Sequence, residues 1–279
     1  MADIGTFNAL KIVKTVDFGV YLNGGDLGEI LLPRRYVPGN MKIGESLEVF
    51  LYFDSEDRLI ATTEKPLARV GDFAFLEAVA VNAVGAFLNW GLPKDLFVPY
   101  SEQRPPMQAG KKYVVFLYLD RASRRIVASA KIDKHLSKEP APFKPGQVVD
   151  LLIYGKSELG YKAVVENSHG GILYKNEVFR ALQPGDLVKG HIRKVRDDGK
   201  IDLRLDKPGY GNVGDLGEKI LAALKANDGF LEVTDKSPAD LIASLFGTSK
   251  NAFKMALGAL YKKRMITLDE FGITLVDHN

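Results

Sequence analysis

The hexapeptide Val-Phe-Leu-Tyr-Phe-Asp at residues 49–54 returns 66 residues later as Val-Phe-Leu-Tyr-Leu-Asp at residues 115–120. The same offset carries Gly19 onto Gly85, and an offset of 75 residues then carries Gly85 onto Gly160. Matches that recur in one fixed order indicate internal repeats. The sequence therefore predicts that most of the chain consists of three related units.

Each repeat has the pattern of a small all-β domain, with short β-branched and aromatic runs separated by Gly, Pro, Asn and Asp. In the first repeat the predicted strands are residues 6–15, 18–23, 28–32, 46–53 and 58–63. Five short strands favour a closed Greek-key barrel of the OB type. A solenoid is the alternative, but its repeats would stack directly, whereas the stretch 137–145 has the composition of a linker.

The end of the chain changes from the strand period to the helical period. Leu and Ile side chains fall on one face of a helix predicted over residues 215–226, and Ser237 is the predicted N-cap of a second helix ending near Phe246. An apolar stripe over residues 253–261 predicts a third helix, and residues 265–276 have the pattern of a β-hairpin. Three helices followed by a hairpin are typical of a winged helix.

The predicted fold class is therefore mainly β, with three tandem five-stranded OB-fold barrels followed by a C-terminal winged helix. The expected barrels span residues 1–67, 68–136 and 144–208, and the winged helix spans residues 214–279.

Composition places the chain among ordinary soluble proteins, with 279 residues, 46% of them hydrophobic and 26% charged. The absence of cysteine excludes disulfides, zinc fingers, iron–sulfur clusters and thiol catalysis. We see no secretory signal and no spanning segment, so we expect a cytoplasmic protein without a membrane partner. The net charge is +3, and residues 143–209 carry 12 basic against 9 acidic side chains, which permits contact with nucleic acid.

Two stretches of the first repeat carry a family resemblance. Asp17–Leu22, a Gly-rich turn and Glu29–Pro33 resemble the ribosomal S-one RNA-binding domain, as do the hairpin over residues 54–62 and its counterpart over residues 120–129. Three such domains and a winged helix resemble, over essentially the full chain, the conserved virulence factor B family of bacterial RNA-binding proteins, also called YitL-like. This resemblance implies RNA binding and post-transcriptional regulation.

In the first repeat, the resemblance implies that Phe18 and Tyr21 occupy the two aromatic positions for base stacking and that Arg58 occupies the basic one. Side chains alternate along a strand, so both rings can face outward only with a bulge at Gly19. The alternative is that one of the two rings belongs to the barrel core.

The second repeat keeps Phe87 and Arg125, which are therefore candidate RNA-binding residues, but has Val84 in place of the first aromatic residue. Trp90, the single Trp, follows in the next turn. It could stack on a base or pack against its own barrel.

The third repeat offers a different set of candidates, Tyr174 and the basic strand of His191, Arg193 and Lys194. Strand alternation predicts His191 and Arg193 on one face and Lys194 on the other, so not all can touch one ligand. We expect this repeat to attract nucleic acid most strongly, although a charge run can also be only a solvated face.

In the winged helix, Lys250 and Lys254 lie on the predicted recognition helix. They could enter a groove or follow a phosphate backbone, or the helix could dock against the third barrel.

The sequence contains no enzyme motif in the structural context that the motif requires. Gly209–Gly214 spells G-x-G-x-x-G, but no βαβ unit surrounds it, so it reads as a linker. The four histidines lack metal-ligand spacing, and no nucleophile elbow or phosphate loop is present. We therefore expect no catalytic residue, no metal and no cofactor.

The sequence predicts a monomer that binds single-stranded RNA by stacking and charge. Two alternatives remain open. One is a transcription regulator that reads duplex DNA with its winged helix, and the other is a translation accessory factor that docks on the ribosome.

Overall fold

The computed structural model describes residues 2–178, 180–205 and 213–276, and of residues 213–215 only the backbone. Contacts divide the chain into two compact units, Met1–Ser137 and Lys138–Asn279. Within these described residues, the strands form three closed five-stranded barrels and one three-stranded sheet, which confirms the predicted fold class. The residues between 206 and 212, which include most of the predicted Gly-rich linker, lie outside the described part.

The three barrels share one connectivity. The first comprises β1 (Phe7–Val16), β2 (Gly19–Asn23), β3 (Glu29–Pro33), β4 (Ser46–Phe53) and β5 (Leu59–Thr62). The second comprises β6 (Phe73–Asn82), β7 (Gly85–Asn89), β8 (Leu96–Pro99), β9 (Lys112–Leu119) and β10 (Ile126–Ser129). The third comprises β11 (Val148–Lys156), β12 (Gly160–Val165), β13 (His169–Tyr174), β14 (Leu187–Val195) and β15 (Ile201–Arg204). In each, the third and fifth strands pair in parallel and the other pairs are antiparallel.

The repeated hexapeptide explains how the first two barrels form one unit. In β4, Val49 and Leu51 point into the first barrel, whereas Phe50 and Tyr52 are equally buried on its outer side. There they join one hydrophobic cluster with Trp90 and the core of the second barrel. In the second copy of the hexapeptide, the outer side chains are only half-buried. The first copy therefore buries both faces of its strand.

The glycines at positions 19, 85 and 160, which helped to define the repeat, occupy positions with no room for a Cβ atom. A Cβ atom there would lie 2.2, 2.2 and 2.1 Å, respectively, from a carbonyl oxygen of the neighbouring strand (β3, β8 or β13). Since such contacts do not occur without a shift of backbone, only glycine fits at the start of β2, β7 and β12.

We expect Gly160→Ala to lower the free energy of unfolding of the third barrel by about 1–3 kcal/mol, because the methyl group overpacks the β12–β13 pair. Urea unfolding of the full chain, with hydrogen exchange of the β12 and β13 amides, would measure this loss. Gly155→Ala in β11 is the matched control, since no atom beyond its two chain neighbours lies within 4 Å of a Cβ there. Equal losses in the two variants would contradict the steric explanation.

The C-terminal domain contains α1 (Val213–Ala226), β16 (Phe230–Leu231), α2 (Ala239–Phe246), α3 (Lys250–Lys262), β17 (Ile266–Leu268) and β18 (Ile273–Leu275). The sheet order is β16-β18-β17, and the short β16 was not anticipated from the sequence. None of the helices within the described ranges is long and apolar enough to cross a membrane.

The predicted cap of α2 is wrong. Pro238 is the N-cap residue, with extended backbone angles of −55° and 143°, so the helix begins at Ala239. Ser237 therefore stands one residue outside the helix, and its Oγ instead accepts a hydrogen bond from the backbone N–H of Thr234 (2.9 Å). Ser249 does cap α3, since its Oγ accepts from the N–H of Ala252 (3.1 Å).

Candidate nucleic-acid interface

The first barrel presents the two predicted aromatic rings together on its surface. Phe18 is 59% exposed, Tyr21 is half-buried, and their ring centroids are 6.5 Å apart in an edge-to-face arrangement. Lys14 adds a cation 5.5 Å from the centre of the Tyr21 ring. Neither ring belongs to the core, which removes the alternative reading of this pair.

The expected bulge at Gly19 is wrong. The β2–β3 register is continuous from Gly19 onward, and the irregularity lies instead in β1, between Ile12 and Lys14. Phe18 lies in the turn before β2. The alternation of side chains along β2, which places Tyr21 outward, therefore does not determine the direction of the Phe18 side chain. Both rings therefore reach the surface without a bulge in their own strand.

Arg58 lies in the turn between β4 and β5, where two carboxylates surround its guanidinium group. Its Nε donates to Asp54 Oδ2 (2.8 Å), and its Nη1 lies 2.9 Å from Glu56 Oε2. The hydrogen bond to Asp54 raises the pKa of Arg58. The positive charge at this predicted position is thus already paired within the turn.

The second barrel has a complete aromatic pair, made of Phe87 on β7 and Phe97 on β8. These residues are direct register partners, and their ring centroids are 5.3 Å apart. Val84 is exposed next to them, in the turn that precedes β7. Phe97 was missed from the sequence because the resemblance supplied no aromatic position on this strand, although its alternation between Leu96 and Val98 indicates an outward side chain.

Arg125, the basic candidate of the second barrel, is ion-paired with Asp57 of the first. Lys94 Nζ donates to the same carboxylate (2.7 Å) and to the backbone oxygen of Asp54 (2.7 Å). The hydrogen bond from Lys94 is the main cause that lowers the pKa of Asp57. These contacts join residues 37 and 68 positions apart, and no sequence pattern indicated them.

In the third barrel, Arg193 and Lys194 are both exposed, contrary to the predicted alternation. The β14–β15 register shifts between Ile192 and Lys194, so Arg193 is the extra residue of a bulge. Arg193 forms an ion pair with Glu177. Lys194 has no ion-pair partner among the residues that the structure describes. The bulge therefore places two adjacent cations on the surface.

Tyr174 and Lys194 lie on either side of Asp202. The hydroxyl of Tyr174 donates to Asp202 Oδ1 (2.9 Å), which raises the pKa of Tyr174, and Lys194 is the register partner of Asp202 across β14–β15. His191, by contrast, is only 7% exposed, and its Nδ1 is buried without a hydrogen-bond partner in the described structure. Tyr174 and Lys194 thus flank the same carboxylate, whereas His191 is largely covered.

The two candidate lysines of the winged helix interact with the turn before α2. Lys250 Nζ donates to the backbone oxygen of Lys236 (2.9 Å), and Lys254 Nζ lies 3.4 Å from Asp235 Oδ2. Lys254 is exposed, whereas Lys250 is half-buried. Both side chains thus have partners within their own domain.

Comparisons with known proteins agree with this architecture. Residues 4–64 match the model of the S1 (S-one) domain, and residues 218–275 match that of the CvfB-like winged helix domain. Conserved virulence factor B of Staphylococcus aureus (strain N315) is 28% identical over 293 residues, covering 98% of this chain and 94% of the relative. The Bacillus subtilis (strain 168) protein YitL is 28% identical over 262 residues, covering 91% and 87%.

Among solved structures, a multidomain protein with nucleic acid binding domains from Streptococcus pneumoniae is 25% identical over 98% of both chains, with a TM-score of 0.43. The matched S1 and winged-helix domains support a nucleic-acid-binding role. The predicted resemblance is confirmed: the chain carries an S1 domain and a CvfB-like winged helix, and over nearly its whole length it is similar to conserved virulence factor B.

Proposed function

We propose that this protein binds single-stranded RNA on the outer faces of its barrels, as a cytoplasmic monomer and without catalysis. The observation that carries the proposal is the cluster on the third barrel, where Tyr174 and Lys194 flank Asp202 and the bulge exposes Arg193 beside them. Lys194 is exposed, whereas Arg193 is ion-paired with Glu177, so a phosphate would have to compete for Arg193. An aromatic ring near an exposed cation is an arrangement that can stack a base and neutralise its phosphate.

The first two barrels offer further rings on which bases could stack. Phe18 and Tyr21 in the first barrel, and Phe87 in the second, are accessible aromatic rings, and each base stacked on such a ring contributes about 1–3 kcal/mol. Arg58 and Arg125 are ion-paired with carboxylates, so a phosphate would have to compete for them. Stacking would therefore contribute more than charge on the first two barrels.

The biological role that we propose is post-transcriptional regulation of gene expression. Similarity to proteins named conserved virulence factor B over 98% of this chain supports an association with virulence. An RNA-binding protein with modest sequence preference can act by covering or exposing single-stranded sites in a transcript.

Fluorescence anisotropy of the full chain with labelled single-stranded RNA, single-stranded DNA and duplex DNA, at two salt concentrations, tests the proposal. We expect the tightest binding to single-stranded RNA. For each phosphate contact, the logarithm of the affinity should fall by about 0.7 for every tenfold rise in salt concentration. Tighter binding to duplex DNA, weakened by Lys254→Ala, would contradict the proposal and assign the function to the winged helix. Binding only to ribosomal subunits, in a sedimentation assay, would favour a translation factor instead.

A further inference from the structure

A cleft of about 610 Å³ lies between the first and second barrels, within the unit formed by residues 1–137. Its floor is the outer face of β7, β8 and β10, including Phe87 and Phe97. One wall comes from the first barrel, at the end of β4 and the following turn, with Phe53, Ser55 and Asp57. A volume of this size is in the range of small-molecule pockets and can hold a nucleotide unit.

The ionisable groups that line this cleft sum to no net charge. They are the cations Lys94 and Arg125 and the carboxylates Asp57 and Asp95. Both cations are bound to the two oxygens of Asp57, one to Oδ1 and the other to Oδ2. An incoming phosphate would therefore have to displace Asp57, and it would meet the second carboxylate of Asp95.

Apart from Ser55, the remaining lining is aromatic and apolar. Phe87 and Phe97 form the tilted ring pair, Val84 is exposed beside them, and Trp90 forms part of the wall. The indole Nε1 of Trp90 donates to the backbone oxygen of Lys94 (2.6 Å), which fixes the ring against the loop that carries both Lys94 and Asp95. Flat, uncharged rings suit such a lining because they gain stacking and lose little hydration.

We propose that the cleft between the first two barrels binds an uncharged nucleobase of the RNA and excludes its phosphate, with Asp57 acting as a built-in anion in the place a phosphate would take. The inference rests on the proposed function, since the base belongs to the bound RNA. A general basic surface would bind RNA with a strong dependence on salt, whereas this cleft, which carries no net charge, should bind a base with little dependence on salt.

Trp90, the single Trp of the chain, borders the cleft and is only 3% exposed, so its emission would report a change in the wall of the cleft rather than direct contact with a ligand. Tryptophan emission, excited near 295 nm, would be followed while adenosine or adenosine 5′-monophosphate is added to the full-length protein. We expect both compounds to change the emission with dissociation constants within about threefold of each other, and with little effect of salt. Tighter binding of the monophosphate by more than about threefold, lost at high salt, would overturn the proposal.

Asp57→Asn should create a preference for the monophosphate over adenosine. The substitution removes one negative charge and frees Arg125, so the monophosphate should gain about tenfold in affinity while adenosine stays unchanged. Asp26→Asn is the matched control, since Asp26 is an exposed carboxylate of the first barrel that does not line the cleft. A gain in both variants, or in neither, would overturn the role of Asp57.

The two proposals can fail separately. Binding of single-stranded RNA by anisotropy without any change in Trp90 emission, for RNA or for adenosine, would overturn the cleft and leave the proposed function standing. A response of Trp90 to adenosine in a protein that binds no RNA would support the cleft as a base pocket and overturn the proposed function.

Discussion

Trp90→Ala should lower the free energy of unfolding of residues 1–137 by about 3–5 kcal/mol, the range for removing a large buried aromatic side chain. Trp90 is 3% exposed, and its ring packs edge-to-face on Phe50 and Tyr52 of the first barrel, with centroid distances of 5.8 and 6.5 Å. The substitution also removes the hydrogen bond from the indole to the backbone oxygen of Lys94. It therefore weakens both the second barrel and its contact with the first.

The loss should be visible as a change in cooperativity. The hydrophobic cluster around Trp90 contains core residues of the second barrel and outer residues of the first, so the two barrels should unfold together in the unaltered protein. In Trp90→Ala, hydrogen exchange should show β4 and β5 opening separately from the strands of the second barrel. Circular dichroism during urea unfolding would measure the stability, since the variant lacks its fluorophore.

Trp90→Phe is the control for this experiment, because it keeps an aromatic ring at the site and removes only the outer ring and the indole N–H. We expect it to lose about half as much stability as the alanine variant. If Trp90→Ala unfolds at the same urea concentration as the unaltered protein, the side chain does not hold the two barrels together.

The barrels were predictable from the sequence because strand length, turn residues and repeated glycines are local features. The strands of the first barrel differ by one residue or less at each end from those predicted. The docking of the second barrel on Phe50 and Tyr52 was not predictable. A strand buried on both faces is simply a continuous apolar run, and nothing in that run tells which partner covers the second face.

The candidate site was predictable in its residue types and less so in its geometry. Exposure of Phe18 and Tyr21 followed from the resemblance, but a bulge depends on how two strands pair, so the irregularities in β1 and at Arg193 could not be placed beforehand. His191 lies on the predicted strand, yet its ring is covered. The contacts of Asp57 with the second barrel could not be predicted, because an acidic residue in a hairpin turn is already expected from the local turn structure.

Replacing both Arg193 and Lys194 with alanine should weaken binding of single-stranded RNA about tenfold to a hundredfold, because it removes two charge-assisted contacts from one surface. If each side chain neutralises one phosphate, the slope of log affinity against log salt concentration should fall by about 1.4, twice the value for one contact with a single strand. Anisotropy at several salt concentrations measures both quantities in one experiment.

The matched control is the double variant Lys111→Ala/Lys112→Ala, which removes the same charge from two adjacent exposed lysines of the second barrel. We expect this control to change the affinity less than threefold. Equal losses in the two double variants would mean that the RNA responds only to the total charge of the protein. A loss confined to the variant of the third barrel would assign phosphate binding to the bulge, because that bulge is what turns Arg193 and Lys194 to the same surface.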